Sequence, residues 1–317
     1  MTPLRAFSLF VWARRREPGA RGRRCWRRAG CLVAYALLLI ACAAPAGSGP
    51  GPTSAPLQTA IKDIGSDTMV NLALAWAQGY QAGHPAANVS VTGGGSGTGL
   101  AALVNGTANL ANASRAITPQ EVAAAKANGI QPVQHVVARD AIAVLVNPGN
   151  PVGQLTLPQL SAMYSGQITN WRGVGGENRP IVLLSRETNS GTHVYFLQKV
   201  VRLGQANSKT LFSPDTLLLP SSEGISVEVR QNPNALGYDG LGYVTPDMKT
   251  VAVAAGDGKP YVLPTVQSVN DQSYPVARDL YIYSAGEPSG PIKDYLDWIT
   301  GPEGQQIVTQ LGFVPIK

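Results

Sequence analysis

Apolar and polar positions alternate along the chain in two interleaved periods. Short apolar runs of β character, rich in Val, Ile and Leu, occur at residues 89–91, 133–137, 141–146, 181–184, 241–244 and 280–283. Between them lie stretches with helical spacing at residues 69–80, 99–105, 119–128, 157–164, 192–203, 225–231, 291–300 and 303–311. Strands taking turns with helices predict an α/β fold built on sheets with mostly crossover connections. Two helix starts are marked by their chemistry: Thr118-Pro119-Gln120-Glu121 and Gly301-Pro302-Glu303 put Pro in the first turn with an acid after it. No internal repeat is present.

Before residue 60 the pattern changes. A long Arg-rich stretch runs into the apolar segment Cys31-Leu-Val-Ala-Tyr-Ala-Leu-Leu-Leu-Ile-Ala41, and a Gly/Pro/Ser-rich run over 43–56 follows. Charged region, short apolar region and small residues in that order predict an export signal over 1–41. The apolar run falls short of the roughly 20 residues that a spanning helix needs. Leu39-Ile40-Ala41-Cys42 resembles a lipobox, which makes Cys42 the expected lipidation site and 42–57 a lipidated tether on the outer side of the cytoplasmic membrane.

That leader also alters the meaning of the charge. The whole chain has 317 residues and a net charge of +6, which at face value suggests a nucleic-acid partner. Nine of the 25 basic residues lie before residue 42 with one of the 19 acids, leaving 16 basic and 18 acidic side chains downstream. A mildly acidic body argues against nucleic-acid binding. Cys25, Cys31 and Cys42 are the three cysteines, so the exported body has no internal disulfide and relies on its core.

Four loops rich in Gly and hydroxyl residues stand between strand-like and helix-like runs. They are Gly65-Ser66-Asp67-Thr68, residues 93–99 (Gly-Gly-Gly-Ser-Gly-Thr-Gly), Asn112-Ala113-Ser114-Arg115, and Arg186-Glu187-Thr188-Asn189-Ser190-Gly191-Thr192. A loop entering a helix offers free N–H groups and the positive end of the helix dipole, and Ser or Thr there adds hydroxyl donors. One such loop is commonly only a helix cap. Four of them with two arginines predict an anion site.

Enzyme motifs do not fit. The glycine run lacks the Gly-Lys-Ser/Thr of a phosphate-binding Walker loop, and Thr98 stands where a nucleophile elbow around Ser96 needs Gly. His84, His135 and His193 have no metal-ligand spacing, so no metal or cofactor is expected.

The elements Gly65-Ser-Asp-Thr68, Gly94-Gly-Ser-Gly-Thr-Gly99, Ala113-Ser-Arg115, Tyr164-Ser-Gly-Gln-Ile-Thr-Asn-Trp171, Arg186-Glu-x-x-Ser-Gly-Thr192 and Gly237-Tyr-Asp-Gly-Leu-Gly-Tyr-Val244 occur in an order similar to that of the phosphate-binding proteins of bacterial phosphate ABC importers. The resemblance covers about residues 58–317. It implies a class II periplasmic-binding-protein fold, with two α/β domains, a two-stranded hinge and a ligand cleft between. Residues 58–139 with 276–317 are expected as domain I and 140–275 as domain II, with crossings near 139–142 and 275–280. The ligand set it implies is Ser66, Asp67, Thr68, Ser96, Gly97, Thr98, Ser114, Arg115, Arg186, Ser190, Gly191 and Thr192. Glu187 resembles the acid that orients the arginine in this family. Where better-known relatives carry an Asp that accepts the proton of phosphate, Arg115 stands here, which leaves Asp67 or Asp140 for that role. The implied activity is reversible capture of inorganic phosphate by a monomer and delivery to ABC transporter permease subunits, with no catalytic step. The rivals are another oxyanion (sulfate, molybdate or tungstate), a secreted phosphatase-like hydrolase and a surface adhesin.

Overall fold

The computed structural model describes residues 60–316; the expected signal, the tether and Cys42 lie outside the described residues. No helix among the described residues is long and apolar enough to cross a membrane.

The strands are β1 (Ala60–Gly65), β2 (Asn88–Thr92), β3 (Leu110–Ala113), β4 (Val133–Val146), β5 (Gln154–Thr156), β6 (Val182–Arg186), β7 (Leu217–Leu219), β8 (Ala235–Gly240), β9 (Lys249–Ala254) and β10 (Ala277–Ser284). The helices are α1 (Val70–Gly83), α2 (Ser96–Val104), α3 (Pro119–Ala127), α4 (Leu157–Tyr164), α5 (Gly191–Phe196), α6 (Ser222–Gln231), α7 (Val266–Asn270), α8 (Gly290–Thr300) and α9 (Pro302–Gln310). The strands follow the order β2-β1-β3-β10-β4-β8-β6-β7, with β9 on β4 and β5 on β9.

One long strand makes this path continuous. The first part of β4, through Ala141, pairs antiparallel with β10, and its second part, Ile142 to Val146, pairs with β8. The sequence suggests two runs, 133–137 and 141–146, because Arg139 and Asp140 interrupt the apolar pattern; both are accommodated inside the strand. Asp140 is fully buried against Arg278 of β10.

Two α/β lobes hang on that ladder. In the first, parallel β1, β2 and β3 carry α1, α2, α8 and α9. Helix α1 buries Leu72, Ala73, Trp76, Ala77 and Tyr80, the i, i+1, i+4, i+5, i+8 stripe of a single helical face. Leu74, which the sequence suggests as part of that stripe, is 41% exposed because two residues turn the helix by about 200°. The Trp76 indole donates to Gly304 O at 2.8 Å, fixing α9 against α1. The second lobe packs Tyr164, Phe196 and Tyr238 with Leu160, Trp171 and Val251. Phe196 and Tyr238 stack face to face at 3.6 Å.

Several expectations need correction. Residues 241–244 are not a strand: Leu241–Tyr243 forms a short 3₁₀ turn, and the strand of that region is β8, interrupted in sequence by Gly237, Asp239 and Gly240. Strands β3, β5, β7 and β9 and helix α7 carry too little periodicity in the sequence to stand out. Helix α2 begins at Ser96, three residues before the expected start, which moves Ser96, Gly97 and Thr98 into its first turn.

Candidate anion-binding site

Three expected loops enter helices without capping them. Ser66 precedes the 3₁₀ turn Asp67–Met69, Gly95 precedes α2 and Ser190 precedes α5, and none makes a side-chain cap bond. The first N–H groups of a helix have no partner inside it, so these starts leave first-turn amides available, except that the Gly97 N–H of α2 donates to Asn189 O at 2.9 Å. By contrast Thr118, Thr156, Ser221 and Thr265 accept from the backbone of α3, α4, α6 and α7.

The uncapped ends meet. Ser96 Oγ lies 3.2 Å from Ser114 Oγ and accepts from the Ser114 N–H at 3.0 Å. A Cβ on Gly191 would come within 2.4 Å of Ser96 Oγ and 2.6 Å of Ser114 Oγ, so α5 of the second lobe starts directly against the hydroxyls of the first. Only glycine allows that approach. Thr68 and Thr192 join hydroxyl to hydroxyl at 2.7 Å across the lobes. Ser66 Oγ is buried without a hydrogen-bond partner. An unpaired buried hydroxyl costs about 1–3 kcal/mol, so its persistence among free amides points to a ligand.

Arg186, at the end of β6, supplies the charge. It is 1% exposed, and its guanidinium donates to Asp67 Oδ2 (2.9 Å), Ser222 Oγ (2.6 Å), Pro220 O (2.9 Å) and Leu219 O (3.3 Å). The Ser222 N–H also donates to Asp67 Oδ2 at 2.8 Å. Ser222 Oγ in turn donates to Asp239 at 2.9 Å. Burial pushes the Asp239 carboxyl up to about 6, with Arg186 pulling the other way, and its second oxygen has no partner.

The structure thus gathers Ser66, Asp67, Thr68, Ser96, Ser114, Arg186, Gly191 and Thr192, with Ser190 buried at the head of α5 and the Gly97 N–H turned to Asn189 O. Three expectations do not hold. The Arg115 guanidinium is bidentate to Glu121 at 2.7 and 2.8 Å, drawn by the carboxylate that also closes the α3 capping box, and it lines a separate crevice with Tyr195 and Arg278. Glu187 is exposed on the turn, and Asp67 holds the place against Arg186 expected for it. The Gly97 N–H, expected for the ligand, is taken by Asn189 O, whereas Thr98 turns its hydroxyl back to Gly94 O and keeps its amide, the group expected of it. Asp140 is adjacent: a Cβ on Gly240 would lie 2.9 Å from Asp140 Oδ2 and 3.1 Å from Thr68 Cγ2. Both Asp140 oxygens are occupied, one by the Leu241 N–H and the other by Arg278. Burial raises its pKa and Arg278 opposes the rise.

Ser222, Asp239, Arg278 and Asn189 escape a reading of the sequence alone. Ser222 looks like the cap of its own helix, a part that Ser221 plays. Asp239 lies inside the Gly237–Val244 segment, where a single acid in an apolar run was a usable signal; so was Arg278 in β10.

Uncapped helix starts from two α/β lobes, facing each other over a buried arginine, define a two-lobed substrate-binding protein with an anion site. The profile of the PBP superfamily domain matches residues 50–303. A phosphate-binding protein PstS from Pseudomonas aeruginosa is 32% identical over 273 residues, covering 81% of this chain and 83% of its own. Its counterpart in Bacillus subtilis is 31% identical over 253 residues, covering 80% and 79%. The crystal structure of a phosphate ABC transporter substrate-binding protein with bound phosphate, from Clostridium perfringens, superposes with a TM-score of 0.73 at 28% identity, over 81% of this chain and all of that one. The chain belongs to the phosphate-binding protein family of the PBP superfamily.

Proposed function

We propose that the chain captures inorganic phosphate outside the cytoplasmic membrane and hands it to the permease of an ABC importer, without a covalent step. The observation that carries this reading is the meeting of three uncapped helix starts, with the partnerless Ser66 hydroxyl next in sequence to the Asp67 that pairs with Arg186. The anion takes hydroxyl donors from Ser66, Thr68, Ser96, Ser114, Ser190 and Thr192 and amides from the first turns of α2 and α5. The lobes divide near residues 139–142 and 275–280, and their separation admits and releases the ligand as a monomer. Cys42 carries a lipid that tethers the body to the membrane; Cys42→Ser should release it into the soluble fraction, and unchanged membrane retention defeats the anchor.

Selectivity for phosphate falls to Asp67. With both Asp140 oxygens occupied, Asp67 is the carboxylate beside Arg186 that an incoming oxyanion meets. A carboxylate repels a dianion unless a proton bridges them, and at neutral pH phosphate brings one while sulfate does not. Calorimetric titration with phosphate, arsenate, sulfate and molybdate tests both claims. Phosphate should bind at least about 10⁴-fold tighter than sulfate, in line with sites built around one shared hydrogen. Asp67→Asn should raise sulfate affinity about tenfold or more while phosphate weakens moderately. Equal phosphate and sulfate affinities in the parent overturn the phosphate reading; a flat sulfate response to Asp67→Asn removes Asp67 from selectivity.

A further inference from the structure

Asn189 stands in the turn between β6 and α5, outside the group around Ser96 and Arg186, and its side chain is exposed. It nevertheless docks the second lobe onto the backbone of the first. Its carbonyl accepts from the Gly97 N–H at 2.9 Å. Its Nδ2 donates to Gly94 O at 2.8 Å and lies 3.4 Å from Thr98 Oγ1. Because Gly94 O can only accept, the amide must present its nitrogen there. The glycines of this loop are shaped to the turn: a Cβ on Gly95 would lie 2.9 Å from Asn189 O, and one on Gly97 3.2 Å from it. Gly95 also has φ of 98°, a left-handed value that favours glycine.

Resting on the phosphate-capture reading above, we propose that Asn189 is a clasp that sets how long the lobes stay shut on the anion, a positioning residue that never touches the ligand. An anion leaves only when the lobes part, which breaks the Asn189 bonds. It arrives at lobes that are already apart, where those bonds do not yet exist. The clasp therefore acts on dissociation and leaves association alone, the usual place for affinity differences within one site. Its partners are neutral backbone groups of the glycine loop, so it does not distinguish one oxyanion from another. For the same reason it is insensitive to salt, unlike the Arg186–Asp67 ion pair.

The test is the release of isotopically labelled phosphate from loaded protein, chased with excess unlabelled phosphate, for the parent, Asn189→Ala and Asn189→Asp. Losing one net hydrogen bond predicts release about tenfold faster for Asn189→Ala. Asn189→Asp, which faces Gly94 O with an acceptor, should release at least as fast. Association should stay within about twofold, a margin well inside the spread among variants of one interface. The ratio of phosphate to arsenate affinity and the thermal midpoint of the phosphate-stripped protein should not move. Release rates in both variants matching the parent, or a loss shared equally with association, overturn the clasp. Should the parent fail to retain phosphate, the capture reading fails separately, and the same release measurement with whichever of arsenate, sulfate or molybdate it retains still decides the clasp.

Discussion

Two sets of helix starts in this molecule use the same residue types for opposite ends. At Thr118, Thr156, Ser221 and Thr265 the hydroxyl folds back onto its own helix and satisfies one of the free amides. At Ser66, Gly95 and Ser190, where the lobes face each other, no side chain does so. A cap stabilises the helix locally; an uncapped start leaves donors and dipole for something that is not part of the chain. Helices α8 and α9 also start without a side-chain cap, so an open start alone does not mark a site. At Ser66, Gly95 and Ser190 it coincides with the Arg186 charge and the approach of the two lobes, and that coincidence separates a binding surface from ordinary helix architecture.

Arg186→Ala breaks that comparison hardest. It removes the only cation among the gathered residues and leaves the Asp67 carboxylate with the Ser222 N–H but without its charge partner, and the Ser222 hydroxyl without its guanidinium donor. Breaking a buried charge pair costs about 3–5 kcal/mol, so phosphate affinity should fall by roughly two to four decades in a calorimetric titration. A variant that folds normally and binds within threefold of the parent takes Arg186 out of the site.

How far the sequence carries follows from where the information sits. Loops such as Gly65-Ser66-Asp67-Thr68 and residues 186–192 are legible because Gly and hydroxyl residues before a helix have few other uses. The α/β class is legible from periodicity. What stays hidden depends on contacts between distant segments. Arg115 and Glu121 are six residues apart, yet their pairing depends on the turn into α3. Asp67 and Arg186 are 119 residues apart, so the acid next in sequence, Glu187, is the natural and mistaken choice. Likewise β8 is masked because Gly237, Asp239 and Gly240 are dictated by close packing and by the site: a Cβ on Gly237 would lie 2.9 Å from Val229.

A smaller effect sharpens the point that an unsatisfied polar group need not belong to the site. Asp63 lies three residues before Ser66, but its carboxyl is buried in the first lobe with no partner on either oxygen, as are the Tyr295 hydroxyl and Asn112 Oδ1. Burial pushes its pKa up from 3.8 to about 7, with the Asn112 side chain pulling the other way. The folded state thus holds this proton more tightly than the unfolded chain. Its contribution to stability is full below about pH 4, declines as pH rises, and is gone above about pH 7. Asp63→Asn should leave phosphate binding in place and raise the thermal midpoint relative to the parent more at pH 8 than at pH 5. A shift independent of pH shows that Asp63 does not titrate in this window.

The finest test exchanges the two kinds of helix start. Thr118 closes a capping box with Glu121, each side chain bonded to the backbone of the other. Thr118→Ala should cost about 1 kcal/mol of stability, the usual value of a cap, and leave phosphate affinity unchanged because its hydroxyl bonds with Glu121 and with none of the gathered residues. Ser66→Ala removes a hydroxyl that caps nothing and has no partner in the fold. With that hydroxyl gone, stability should hold or rise slightly, since a buried group without a bond is lost. Phosphate should bind about tenfold more weakly, the value of one hydrogen bond to a charged ligand. Denaturant melts and calorimetric titration on the same two variants read both axes at once. If Ser66→Ala loses stability as Thr118→Ala does and binds phosphate as the parent does, Ser66 is a cap after all, and the distinction between capped and open helix starts fails at its most exposed point.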